Sequence, residues 1–188
     1  LHAILEGPLL DPETGEAPDP TAVPVLEFDP KARAWTGRHR IFRLADPAFA
    51  VGGLAAMPDG RALVIERDRG QGSPALACPE GAPAADCFAT PARVKRLVLV
   101  DLLGTEPGGA LARLGEIDLM AIRDPGGRAR QGGRDGRLEF PFVTVEGVEV
   151  LPGGRIAVAN DNNLPNSSGR ALGRADDTEI ILLETRLP

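Results

Sequence analysis

Lysine is nearly missing from this chain: Lys31 and Lys95 are the only two in 188 residues, and arginine supplies the remaining positive charge. Together with the abundance of alanine, this bias points to a high-GC bacterial coding sequence. Tyrosine is absent and aromatic residues make up 4% of the chain, while there are 23 glycines and 18 prolines. That balance fits many short elements joined by turns. No stretch approaches the roughly 20 apolar residues that cross a bilayer, so no transmembrane segment is expected. The net charge of −6 and the pI near 5.0 leave no basic face to neutralise phosphates, which argues against nucleic-acid binding. The densest basic cluster, "RARQGGRDGR" at 128–137, reads as a flexible, solvated loop because of its glycines. Histidine occurs twice, as His2 on an N-terminal stub and His39 on an outer strand, so a Ser-His-Asp triad has no evident base. G-x-S-x-G and Walker-type loops are missing, and "RGQGS" lacks the Lys and following helix of a phosphate cradle.

The two cysteines, Cys78 and Cys87, sit in one polar loop, "ACPEGAPAADC". A local disulfide and an oxidising compartment are the expectation, with two free thiols as the alternative. Two cysteines cannot fill a tetrahedral zinc site. No signal peptide is visible, yet "LHAILEGPLL" already reads as a strand, so the expectation is a periplasmic or secreted protein whose leader has been removed.

What is present is a repeat. "GLAAMPDGRALVIERDRG" (53–70) lies over "GVEVLPGGRIAVANDNNL" (147–164), with Pro58 on Pro152, Gly60 on Gly154 and Arg61 on Arg155. Each copy is an alternating apolar hairpin with a tight glycine turn. A third strand follows each, "KRLVLVDLL" (95–103) and "TEIILLETRL" (178–187), and "ALARLGEIDL" (110–119) makes a fourth after the first copy. The N-terminus offers a partial copy in "HAILEG", "VPVLEFD" and "ARAWTGRHRIFRL". Glu6, Glu66 and Asn160 then close equivalent second strands. Four-stranded antiparallel units in series are the signature of an all-β propeller; a β-sandwich is the alternative. The partition is a partial blade over about 1–44, a full blade over 45–119 and a partial final blade over 140–188, about three blades in all. A closed ring needs at least about four, so the remaining blades are expected from the rest of a longer protein or from another chain. In a meander, residues 7–23, 69–93, 120–141 and 160–177, the long loops, fall on one face, where function usually resides.

"LEGPL" (5–9), "LVIERDRGQG" (63–72), "FPFVTVEGVEVLPGG" (140–154), "VANDNN" (158–163) and "DDTEIILL" (176–183) resemble the phytase-like family described as having an esterase-like activity of phytase. The likeness corresponds to the C-terminal half of the family domain. It implies a six-bladed or similar propeller in an exported bacterial protein, and phosphoester hydrolysis.

An acidic chain meets a polyanionic, phosphorylated small molecule only through bridging cations. Ca²⁺ takes six to eight oxygen ligands from Asp, Glu, Asn and carbonyls, and a metal also activates water. The candidate ligands are Glu6, Glu66, Asp68, Asp161, Asn163, Asp177 and Glu179, with Arg67, Arg69 and Asn162 to hold substrate; forked arginine bonds suit a phosphate. Each has a plainer role: carboxylates that accept from loop amides, an Asx-rich turn at 161–163, and a solvated strand start at Asp176, Asp177 and Glu179. Arg67 and Asp68 are adjacent in a strand and point to opposite faces. A non-catalytic binding or scaffold module with structural calcium is the rival to a hydrolase.

Overall fold

The computed structural model describes residues 1–83 and 85–185. Alternating apolar residues build three principal antiparallel sheets. The first holds β1 (His2–Ile4), β2 (Ala22–Asp29) and β3 (Ala34–Arg43), in that order. The second is a four-stranded meander of β4 (Ala50–Ala56), β5 (Arg61–Arg67), β6 (Lys95–Asp101) and β7 (Ala112–Asp118). A small sheet follows, β8 (Ile122–Arg123), β9 (Gly133–Arg134) and β10 (Arg137–Leu138), with β10 in its middle. The last sheet is β11 (Val145–Val150), β12 (Arg155–Asn160) and β13 (Ile180–Glu184). Among the described residues the only helical piece is a 3₁₀ turn at Pro74–Leu76, capped by the Ser73 hydroxyl.

The repeat is realised bond for bond. Met57 donates its amide to the Arg61 carbonyl at 2.8 Å and Leu151 donates to Arg155 at 2.8 Å; Gly60 and Gly154 close the two turns onto Met57 and Leu151 at 3.2 Å each. Both glycines have positive φ, 89° and 79°, where a side chain is strained. Both inner strands also carry a bulge at the same place, between Val51 and Gly53 opposite Glu66, and between Val145 and Gly147 opposite Asn160. A bulge adds one residue and bends the strand. Here the bend brings β4 against β11: a Cβ on Gly52 would lie 1.9 Å from the Val145 carbonyl oxygen.

Two apolar layers separate the three main sheets. Between the first and second, Val23, Val25 and Phe42 meet Val64, Val98 and Val100. Between the second and last, Leu63, Ile65, Leu97 and Leu99 meet Phe140, Phe142, Val145, Ile156 and Val158. The second sheet thus sends alternate side chains of each strand to opposite layers, as the pleat requires. Each fully buried aliphatic side chain contributes about 1.5–3 kcal/mol. Trp35 stays largely exposed and packs edge-on against Phe28 at 5.2 Å.

Two expectations are revised. The basic cluster at 128–137 includes a hairpin, with β9 and β10 joined by Asp135 (φ 51°) and Gly136 (φ 73°), because an Asp-Gly pair with both φ positive matches the strand twist. The final strand ends at Glu184, short of the expected 187; residues 186 and 187 lie outside the described set.

Cys78 and Cys87 form a disulfide, with Cα atoms 4.8 Å apart. Its chain separation is 9, for which loop entropy gives about 2.5 kcal/mol. A Cys78→Ser/Cys87→Ser double variant is therefore expected to lose about that much in urea unfolding; an unchanged midpoint would remove the loop from the stability account.

Candidate functional site

Three of the four long loops come together. Gly72 donates its amide to the Pro141 carbonyl at 2.9 Å, Arg170 donates Nη1 to the Glu139 carbonyl at 2.6 Å, and the Ser168 amide reaches Gln71 Oε1 at 3.5 Å. The loops at 69–93 and 160–177 line a cleft that holds Arg69, Phe88, Thr90, Asn163, Asn166 and Ser168. The loop at 7–23 is tied locally instead, Asp11 Oδ1 accepting from the amides of Glu13 and Thr14 at 2.8 and 2.9 Å.

The polar run after β12 supports this cleft. Asn160 is buried; its Oδ1 accepts from the Glu179 amide at 2.7 Å and its Nδ2 donates to the Asp177 carbonyl at 3.2 Å. Asp161 Oδ1 accepts from the Asn163 amide at 3.0 Å and Asn162 Oδ1 from the Leu164 amide at 3.1 Å, two successive Asx turns. Asn163 takes φ 46°, a conformation Asn tolerates, and its Nδ2 bonds Thr144 Oγ1. Asp161 and Asn162 thus use a side-chain oxygen to shape the loop.

Asp176, read from sequence as part of a solvated strand start, is buried. Its Oδ2 accepts from Ser167 Oγ at 2.9 Å and the Gly169 amide at 2.8 Å, and its Oδ1 from the Arg170 amide at 3.1 Å. Arg170 forks onto Glu179 with two bonds of 2.8 Å and lies over the Phe142 ring at 5.0 Å. Asp177 is exposed and contributes its carbonyl. Sequence reasoning missed Ser167, Arg170 and Asp176, whose partners lie across the loop and carry no periodic signal.

Glu66 is fully buried, in an ion cluster. Arg96 donates Nε to Oε2 at 2.7 Å, Arg113 donates Nη2 to Oε1 at 2.7 Å, and the Ala45 amide donates to Oε1 at 2.8 Å. Burial alone would raise the carboxyl's pKa; the bonds from Arg113, Ala45 and Arg96 outweigh it and hold it below its ordinary range. Arg113 also donates to the Arg43 carbonyl at 2.6 Å and covers Phe42 at 5.0 Å, so the cluster joins the first two sheets.

Asp68 and Lys95 form a second buried pair. Lys95, fully buried, places Nζ 2.7 Å from Asp68 Oδ1 and donates to the Asp68 and Gly70 carbonyls at 2.9 Å each. Asp68 Oδ2 accepts from the Arg93 and Val94 amides at 2.7 and 2.9 Å. Burial lowers the Lys95 amine to about 8, against the opposing pull of Asp68. Burial would raise Asp68, but Lys95 and the two amides bring it below its usual value.

Arg67 turns away from Asp68, as the strand alternation requires. Its Nη2 donates to Glu6 Oε1 at 2.9 Å and lies 3.8 Å from Glu146 Oε1. Glu6 and Arg67 therefore meet at the β1–β5 junction, Asp68 lies on the other side of the strand, and Asp161 and Asn163 lie beside Thr144. Among the described residues no three His, Cys, Asp or Glu side chains gather as a metal set. Glu66, Asp68 and Glu179 already have arginine or lysine as counter-ions, so these three carboxylates are committed to ion pairs within the chain. Arg69 is different: it is exposed in the cleft, and among the described residues no carboxylate lies within 4.0 Å of it.

The family model described as "Phytase-like: Esterase-like activity of phytase" matches residues 1–164. No curated protein and no solved structure matches the chain. The match covers most of the 188 residues, and the chain belongs to the phytase-like family.

Proposed function

We propose that this chain binds a small phosphorylated molecule on its long-loop face, with Arg69 as the anion-binding group. The observation that carries this is the pairing pattern: Glu6, Glu66, Asp68, Asp161 and Glu179 are engaged by cations or loop amides, whereas among the described residues Arg69 has no counter-ion within 4.0 Å and stands in a cleft of amide and hydroxyl side chains. A guanidinium fork matches two phosphate oxygens, and Asn163, Asn166 and Ser168 add donors around it. The recurring bulged hairpins and the close approach of β4 to β11 support a radial, propeller-like placement of the sheets. The disulfide supports a periplasmic or secreted location.

Titration with inositol hexakisphosphate by calorimetry tests the reading. Arg69→Ala is expected to weaken binding at least tenfold, about 1.4 kcal/mol, with affinity falling as salt rises. Equal affinity in the wild type and the variant would refute it. Hydrolysis is the second reading, favoured by the esterase-like activity in the family's description. Release of a chromogenic leaving group from a phosphomonoester, lost in Arg69→Ala, supports it; binding without turnover at any pH leaves a binding module.

A further inference from the structure

We infer that the cleft takes a sugar or polyol bearing a single phosphate, and that further phosphates add no affinity there; this rests on Arg69 as the anion-binding group. Charge decides first. Among the described residues that line the cleft, Arg69 is the one charged side chain. Asp86 and Arg174, chain neighbours of lining residues, both fall outside the lining and are opposite in sign. One guanidinium forks onto two oxygens of one phosphate. A second phosphate on the same ligand would meet only neutral groups, on a chain whose net charge is −6.

The neutral lining suits hydroxyl groups. The side chains of Thr90, Asn166 and Ser168 have no hydrogen-bond partner among the described residues. Asn163 donates its Nδ2 to Thr144 and keeps Oδ1 open. An amide oxygen accepts from an alcohol and repels a phosphate oxygen, while a side-chain hydroxyl donates and accepts. Polyol hydroxyls match that mixture, and a fully phosphorylated ring has none to offer. Val143 and Leu172 add apolar surface for its C–H faces, and the volume, about 780 Å³, is that of a small-molecule site. Both walls are fixed in advance. Lys95 Nζ holds the carbonyls on either side of Arg69, those of Asp68 and Gly70, at 2.9 Å each. Opposite, Asp176 Oδ2 holds the residues that flank Ser168, accepting from Ser167 Oγ at 2.9 Å and the Gly169 amide at 2.8 Å. Groups already held lose little freedom on binding, so neutral hydrogen bonds to the polyol contribute net affinity.

Calorimetry at neutral pH with three probes tests this: inorganic phosphate, myo-inositol 1-phosphate and inositol hexakisphosphate, each titrated into the whole chain. The monophosphate should bind at least tenfold tighter than inorganic phosphate. The hexakisphosphate should bind within about tenfold of the monophosphate, a margin that the statistical advantage of six groups nearly fills. A Thr90→Val/Asn166→Ala double variant should narrow the gap between monophosphate and inorganic phosphate at least threefold; both residues are exposed, so the core is spared. Three results would overturn the inference while leaving Arg69 an anion site. They are a hexakisphosphate bound far more than tenfold tighter with steep salt dependence, a monophosphate no tighter than inorganic phosphate, or a gap unchanged in the double variant. Binding of none of the three probes would remove the reading of Arg69 and this inference together.

Discussion

Glu66→Ala should lower the unfolding free energy by about 3–5 kcal/mol, the cost typical of breaking a buried ion pair from one side. The loss is large because Arg96 and Arg113 are left beside a cavity with no counter-charge, and the Ala45 amide loses its acceptor. Arg113 reaches the Arg43 carbonyl as well, so the first sheet loosens along with the second. Urea denaturation at neutral pH measures the effect. Glu116, the exposed partner of Arg96 at 3.1 Å, is the matched control, and its alanine variant should change stability by less than about 1 kcal/mol. The pH dependence has a definite sign. The Glu66 carboxyl titrates lower in the folded chain than in the unfolded one, so its contribution is complete above the ordinary 4.5 and disappears as pH falls through the folded value. Glu66→Ala should flatten that acid limb.

Lys95→Met carries the second large effect, and it acts at the opposite end of the pH scale. Removing the ammonium leaves Asp68 without its counter-ion and two carbonyls without a donor. About 3 kcal/mol of destabilisation at pH 7 is expected. In the wild type the folded amine releases its proton near pH 8 and the unfolded one near 10.5. Between those values the unfolded chain binds more protons, so this group makes stability rise with pH, by on the order of 3 kcal/mol across the window. The variant should lack that rise. The window is unusually clean: the chain has no tyrosine, and both cysteines are oxidised. Parallel urea titrations at pH 7, 8.5 and 10 separate the cases, and coincident pH profiles for wild type and variant would count against an amine lowered by burial.

The hairpin repeat was legible because it is local: a strand alternates with period two, and a glycine turn leaves its mark within four residues. Pro58–Gly60 on Pro152–Gly154, and Glu66 on Asn160, survive intact as paired turns and paired bulges. The disulfide was legible for the same reason of short range. Partnerships across strands were not. Arg96 and Arg113 lie 30 and 47 residues from Glu66, and register alone decides that they converge there. Asp176 looked like a solvated acid because its neighbours in sequence are polar; its burial comes from the loop folding back through Ser167 and Gly169. Lys95 is the most completely enclosed cation among the described residues, and its sequence neighbourhood gives no sign of that burial. The hairpin at Asp135–Gly136 was hidden by the arginines around it, although the turn dipeptide was in plain view.

Gly52 has a consequence beyond its own strand. With the Val145 carbonyl filling the space a methyl would occupy, the spacing of the two inner strands is set by the absence of an atom. Any side chain introduced there would act as a wedge, and the displacement would travel through Val145 to Phe140 and Phe142 before it reached solvent. The hydrophobic layer between the sheets is therefore gauged at its rim by a hydrogen atom.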